Sequence, residues 1–202
     1  MTKIGIMGGT FDPVHNGHLL LAKQACTEYV LDAVWFMPSG QPPHKRDRVV
    51  SDSSHRCAMV KLAIAGEPAF AFSDFEVSRK GSTYTAETME LLKASCPDHK
   101  FYYIIGADSL YEIEKWYQPE RVLASVSFLV ADREYAGEHR PLNDQITYLT
   151  ERYHACIQKL HCCEMAVSSD EIRHAIRLGQ PVDDYVPRAV REYIDSHHLY
   201  RL

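Results

Sequence analysis

The sequence predicts an α/β protein built on a doubly wound, mainly parallel sheet with helices on both faces. Short apolar runs alternate with helical patterns along the chain, and 202 residues at 46% hydrophobic content suffice for one sizeable core. The first apolar run also leads straight into a glycine-rich turn at the mouth of a helix. In order, a strand over 3–7 gives way to "GGTFDPVHNGH" and a helix over 18–29; a strand over 33–37 ends in the proline-rich "PSGQPPHK", a loop rather than a linker. A helix over 54–65 and a strand over 70–75 follow, then a helix over 85–95 that Thr85 opens. Next come a strand over 101–105, a helix over 119–124, a strand over 127–130, a helix over 142–154 and a strand over 161–165. Two helices close the order, over 170–178 and 187–197. Strand trading with helix calls for right-handed crossovers. One domain is expected over 1–202, with 168–202 as a helical C-terminal part.

Composition narrows the partners. Acidic residues outnumber basic ones, 27 to 22, for a formal charge of −5, which speaks against general duplex binding and makes any phosphate site local. The opening "MTKIGIMGG" has no secretion leader, and no run approaches the roughly 18 apolar residues of a membrane helix. The expected location is cytoplasmic, with no nucleic acid and no membrane as partner; a homo-oligomer stays open. Six irregularly spaced cysteines are then reduced thiols, with Cys26 and Cys57 suited to buried helix positions.

In a sheet of this kind, ligands settle beyond the carboxyl ends of the strands. Gly8 and Gly9 let the backbone turn and approach a ligand, and the helix behind them presents N–H groups and a positive dipole end to an anion. His15 and His18 are expected in that helix's first turn, on one face with Cβ atoms about 5–6 Å apart, with Gly17 keeping the approach open. The glycine spacing fits neither G-x-x-x-x-G-K-[ST] nor G-x-G-x-x-G. Ser168 and Glu171 form a capping box, so "VSSDEIR" starts a second helix whose N–H groups could receive phosphate, with Arg173 as a forked cation in its first turn. After the strand over 101–105, Gly106 permits close packing and Asp108 offers acceptors to ribose hydroxyls or a cation, while Ser109 reads as a helix cap. Each motif also has a plain structural use, as a common strand-to-helix turn, an ordinary cap or a core tryptophan.

The stretch "GGTFDPVHNGH" resembles the H-x-G-H signature of the nucleotidyltransferase superfamily, and its longer form is similar to the bacterial nicotinate mononucleotide adenylyltransferases. Five further blocks continue the likeness in order: "PPHK", "HRCAM", "STYTAET", "IGADSLYEIEKWY" and "VSSDEIR", so that it covers about residues 4–195. The resemblance implies a Rossmann-like nucleotidyltransferase fold and transfer of AMP from ATP to nicotinate mononucleotide, giving nicotinate adenine dinucleotide and pyrophosphate in NAD biosynthesis. The attacking group is already a phosphate oxyanion, so no enzyme nucleophile is needed; the protein aligns it and stabilises charge on the α-phosphate and the leaving group.

On that resemblance, Thr10, His15, His18 and Arg173 are the catalytic candidates, and Gly8, Gly9, Phe11, Gly106, Asp108, Ser168 and Ser169 join them in holding ATP. Mg²⁺ is the expected cofactor, held by phosphates and water with no dedicated protein ligands. Trp116 and Tyr117 fit the family's pyridine pocket, where an aromatic face attracts the cationic ring by about 0.5–2 kcal/mol. The N–H groups of Thr85 and Ala86 would favour a carboxylate over an amide, Asp108 would also meet the acceptor, and Lys45 would meet the acceptor's phosphate. Two positions depart from the family's pattern: Asp170 stands where it has Thr and is left outside the site, and Ser39-Gly40 replaces amide side chains. A phosphopantetheine or polyol-phosphate transferase, a silent nucleotide sensor and a tRNA-charging fragment are the competing readings. The cluster His154, Cys156, His161, Cys162 and Cys163 offers soft-metal ligands, but it lacks paired C-x-x-C arms and reads as structural thiols, expected to be buried.

Overall fold

The computed structural model describes residues 1–40, 50–131, 139–161 and 167–201. Among them, strands β1 (Thr2–Gly9), β2 (Ala33–Pro38), β3 (Phe70–Phe72), β4 (His99–Gly106), β5 (Ser127–Ala131) and β6 (Ile157–Leu160) form one sheet in the order β3-β2-β1-β4-β5-β6. Every neighbouring pair is parallel. The chain winds outward from the β1–β4 pair in both directions, which is the doubly wound architecture that the alternating pattern predicts.

Period-two alternation splits the core between the two faces. Met7, Val34, Phe36, Ile104 and Leu129 point one way, into a layer made by α1 (Asn16–Tyr29), α2 (Ser53–Ile64), α7 (Ser169–Arg177) and α8 (Arg188–Ser196). Ile4, Ile6, Tyr103, Ile105, Phe128 and Val130 point the other way. There they meet α3 (Thr85–Ser95), α4 (Ala107–Tyr111), α5 (Pro119–Ser125) and α6 (Leu142–Tyr153). Each fully buried side chain of this size contributes about 1.5–3 kcal/mol.

The same sheet opens the site. Registered β1–β4 pairs run only from Thr2↔His99 to Ile6↔Tyr103, whereas β1–β2 pairing continues to Gly9↔Pro38 and β4–β5 pairing to Gly106↔Ala131. The two central strands therefore part at their carboxyl ends, at the point where the winding reverses.

Several boundaries differ from the sequence reading. The last strand occupies Ile157–Leu160 rather than 161–165, of which His161 lies beyond the strand and 162–166 lie outside the described residues. It is an edge strand carrying Gln158 and Lys159, so only Leu160 is fully buried and the apolar signal is weak. β3 stops at Phe72. Gly106 caps the additional short helix α4, which places Ser109 inside that helix instead of at its cap. Cys26 and Cys57 are half-buried rather than buried. Desolvation raises both thiols above their ordinary range.

Candidate active site

The loop that leaves β1 is the centre of the site. Phe11 adopts a left-handed φ of 52° and is 2% exposed, wedging its ring into the core beneath the loop. A Cβ on Gly8 would lie 2.2 Å from the Tyr103 hydroxyl, and one on Gly9 would lie 3.3 Å from the Phe11 ring. These glycines make room for two aromatic side chains of the protein, a closer reason for their presence than the approach of a ligand.

His15 is the N-cap of α1 and His18 its third residue, so only His18 lies in the helical first turn. Their rings stack at 3.6 Å between centroids, and the Phe11 ring meets His18 edge-on at 5.0 Å. The His15 backbone N–H donates to His18 Nδ1 at 3.2 Å. That bond makes Nδ1 an acceptor and leaves the neutral ring's proton on Nε2, a donor suited to a phosphate oxygen. Thr10, half-buried, directs its carbonyl to Arg56 at 2.8 Å.

The second helix start closes on the same loop. Ser168 and Glu171 form the predicted capping box: the Glu171 N–H donates to Ser168 Oγ at 3.2 Å, and the Ser168 N–H donates to Glu171 Oε2 at 2.8 Å. Ser169 Oγ donates to the Pro13 carbonyl at 2.9 Å, and Arg173 Nη1 donates to the Asp12 carbonyl at 2.6 Å. A Cβ on Gly17 would lie 3.1 Å from His15 Nδ1 and 3.2 Å from Val167 Cγ1, so Gly17 makes room for the His15 ring and for the residue leading into α7. Thus the imidazole pair and the guanidinium border one loop at one strand end.

Across the parted strands, Gly106 and Asp108 stand at the carboxyl end of β4. Tyr103 belongs to the same buried layer as Ala86 and Trp116, and burial pushes its pKa upward. Thr85 is the first residue of α3, as expected, and Ala86 is fully buried. Trp116 is half-buried, its indole edge-on to Tyr103 at 6.4 Å; Tyr117 is exposed and packs against Tyr84 at 4.2 Å. Lys45 lies outside the described residues.

Four supporting residues escaped sequence reasoning. Arg56, 2% exposed, donates to the carbonyls of Thr10, Ser39, Gly40 and Ser51 at 2.8–3.3 Å, joining the β1 loop to the segment after β2. Burial lowers its pKa from the ordinary arginine value. Tyr200 donates its hydroxyl to Asp12 Oδ1 at 2.7 Å, while Asp12 Oδ2 accepts from the Ser51 N–H. Glu76 accepts from Thr83 and Thr88 hydroxyls on either side of Thr85 and Ala86, and burial raises its pKa. Tyr103 is the fourth. The block "HRCAM" carried the only sequence signal among them, since it contains Arg56.

The cysteine cluster takes another form. Cys156 is exposed rather than buried, His154 ends α6 in a left-handed conformation, and His161 pairs with Glu28 at 2.7 Å. Cys162 and Cys163 lie outside the described residues.

Comparison with known proteins places the chain among relatives of the same fold. The model of the cytidylyltransferase-like family matches residues 6–175. A protein of Lachnoclostridium phytofermentans named "Probable nicotinate-nucleotide adenylyltransferase" is 42% identical over 99% of this chain and 100% of its own length. One of the same name from Bacillus pumilus is 40% identical over 99% of both chains. The fold is similar to a Plasmodium falciparum nicotinic acid mononucleotide adenylyltransferase complexed with NaAD, with a TM-score of 0.81 at 19% identity, over 99% of this chain and 98% of that one. A cytidylyltransferase-like match over most of the chain, and full-length relatives at about 40% identity, show that the chain belongs to the nicotinate-nucleotide adenylyltransferase family.

Proposed function

We propose that this chain transfers AMP from ATP to nicotinate mononucleotide, giving nicotinate adenine dinucleotide and pyrophosphate, as a cytoplasmic step of NAD biosynthesis. The observation that carries the reading is the convergence of His15, His18 and Arg173 on the Asp12–Pro13 loop where β1 and β4 part. An oxygen of the acceptor's phosphate attacks the α-phosphorus, the bond from that phosphorus to the bridging oxygen breaks, and pyrophosphate leaves. No proton need be removed from the attacking group, so the protein's part is alignment and charge stabilisation. His18 offers its Nε2 proton to the phosphates, and Arg173 takes charge growing on the leaving group.

Among the described residues no three His, Cys, Asp or Glu side chains converge on a cation position. A magnesium ion would be carried on the phosphates with water, where it would spread their charge, and Asp108 offers a carboxylate at the β4 end. No helix among the described residues is long and apolar enough to cross a membrane.

The acceptor side is read from α3 and Trp116. Thr85 and Ala86 open α3 with the helix dipole behind them, an arrangement that favours a carboxylate over an amide on the pyridine ring. Rates measured side by side with nicotinate and nicotinamide mononucleotides test reaction and selectivity together. We expect pyrophosphate and dinucleotide in equal amounts, with the nicotinate substrate at least tenfold faster. No product from either one overturns the reading. Trp116→Ala is expected to raise the KM for the pyridine nucleotide about fivefold, the ratio that a cation–π contact near 1 kcal/mol commands, and to leave that for ATP within about twofold. Equal rises for both substrates would assign the indole to packing alone.

A further inference from the structure

Arg173 stands in the site engaged on both sides. Nη1 donates to the Asp12 carbonyl at 2.6 Å, and Nη2 is ion-paired with Asp170, three residues earlier in α7. The partners differ in kind. The carbonyl is neutral and belongs to a buried loop, whereas the Asp170 side chain is 61% exposed and the Arg173 side chain only 19%. A solvated carboxylate on a rotatable stem is a charged competitor for the N–H donors that a phosphate would use.

We propose that Asp170 is a resident counter-anion of Arg173 that weakens this chain's hold on the triphosphate of ATP and on pyrophosphate. The inference rests on the adenylyl-transfer reading for its ligands. Two effects act in the same direction. A phosphate oxygen must displace the carboxylate from Nη2 or share the nitrogen with it, and either way like charges meet at close range. Asp170 also lies in the first turn of α7, where its charge offsets the positive dipole end that borders the Asp12–Pro13 loop. The carboxylate therefore tunes affinity through Arg173 without touching the transferred group. A looser hold on the leaving pyrophosphate speeds its release, a step that limits turnover in many enzymes.

Calorimetric titration of the full chain with ATP and with inorganic pyrophosphate, at fixed magnesium, is the test. Asp170→Asn should bind both about fivefold more tightly, the ratio that an exposed ion pair commands, and the gain should shrink as salt rises. Asp170→Glu should keep the wild-type affinities, and neither change should move the KM for the pyridine nucleotide. In an Arg173→Ala background the effect of Asp170→Asn should fall, since the pair it breaks is gone. An Asp170→Asn protein with an unchanged melting temperature that binds ATP and pyrophosphate no more tightly overturns the proposal. Wild-type protein that binds ATP but yields no dinucleotide sinks the transfer reading instead, and the same titrations still decide the role of Asp170.

Discussion

Replacing His18 with alanine is expected to lower turnover about 100-fold or more while the fold survives. The magnitude is that of removing one preorganised donor from developing transition-state charge. The ring sits at the third position of α1, stacked on His15, with Nδ1 occupied by the His15 N–H and the proton therefore on Nε2. Alanine removes two things at once, the phosphate donor and the acceptor that closes the helix start. A second variant separates them. Glutamine at the third helical position supplies a capping-box acceptor for the His15 N–H but a poorly placed donor for phosphate. His18→Gln should thus recover the melting temperature lost in His18→Ala and recover little of the turnover. Steady-state rates beside thermal unfolding read out both, and near-normal turnover in the alanine variant would remove His18 from the chemistry.

Arg56→Ala is expected to cost about 3–5 kcal/mol of stability and nearly all activity. The guanidinium is 2% exposed, and its N–H groups go to main-chain carbonyls of Thr10, Ser39, Gly40 and Ser51. Truncation strands those buried acceptors, each at about 1–3 kcal/mol if water cannot replace the donor. For a chain of this length the loss corresponds to a melting temperature lower by roughly 10 °C. Lysine keeps the charge but cannot reach several carbonyls in one plane, so Arg56→Lys should recover only a small part. Denaturant unfolding and the ATP titration should fail together, because the same side chain holds the β1 loop against the segment after β2. A variant of normal stability with lost activity would instead place Arg56 among the groups that touch substrate.

The contrast between these two residues explains how far the sequence could be read. His18 belongs to a contiguous motif between strand and helix, and its role follows from spacing of a few residues. Arg56 acts on carbonyls, which every residue type possesses, so nothing in the composition of its partners marks them before the segments meet. The glycines were legible as a tight turn, while what occupies the vacated space, the Tyr103 hydroxyl and the Phe11 ring, depended on strand register. The short apolar runs mark the strands but not which side chain enters which face; neighbours such as Ile104 and Ile105 go to opposite layers by the pleat of the backbone. The final strand did not, since an edge position tolerates Gln158 and Lys159 and dilutes the apolar pattern. A carboxylate at position 170, where the family has Thr, gives no sign in the sequence of what it faces; its ion pair with Arg173 accounts for its place beside the site.

The bond from Tyr200 to Asp12 spans 188 positions of sequence. The phosphate-side loop thus depends on a hydroxyl far along the chain to satisfy one of its buried carboxylate oxygens. Until that hydroxyl docks, the histidine motif stands on an unfinished base, so the phosphate side is complete only once distant parts of the chain have folded together.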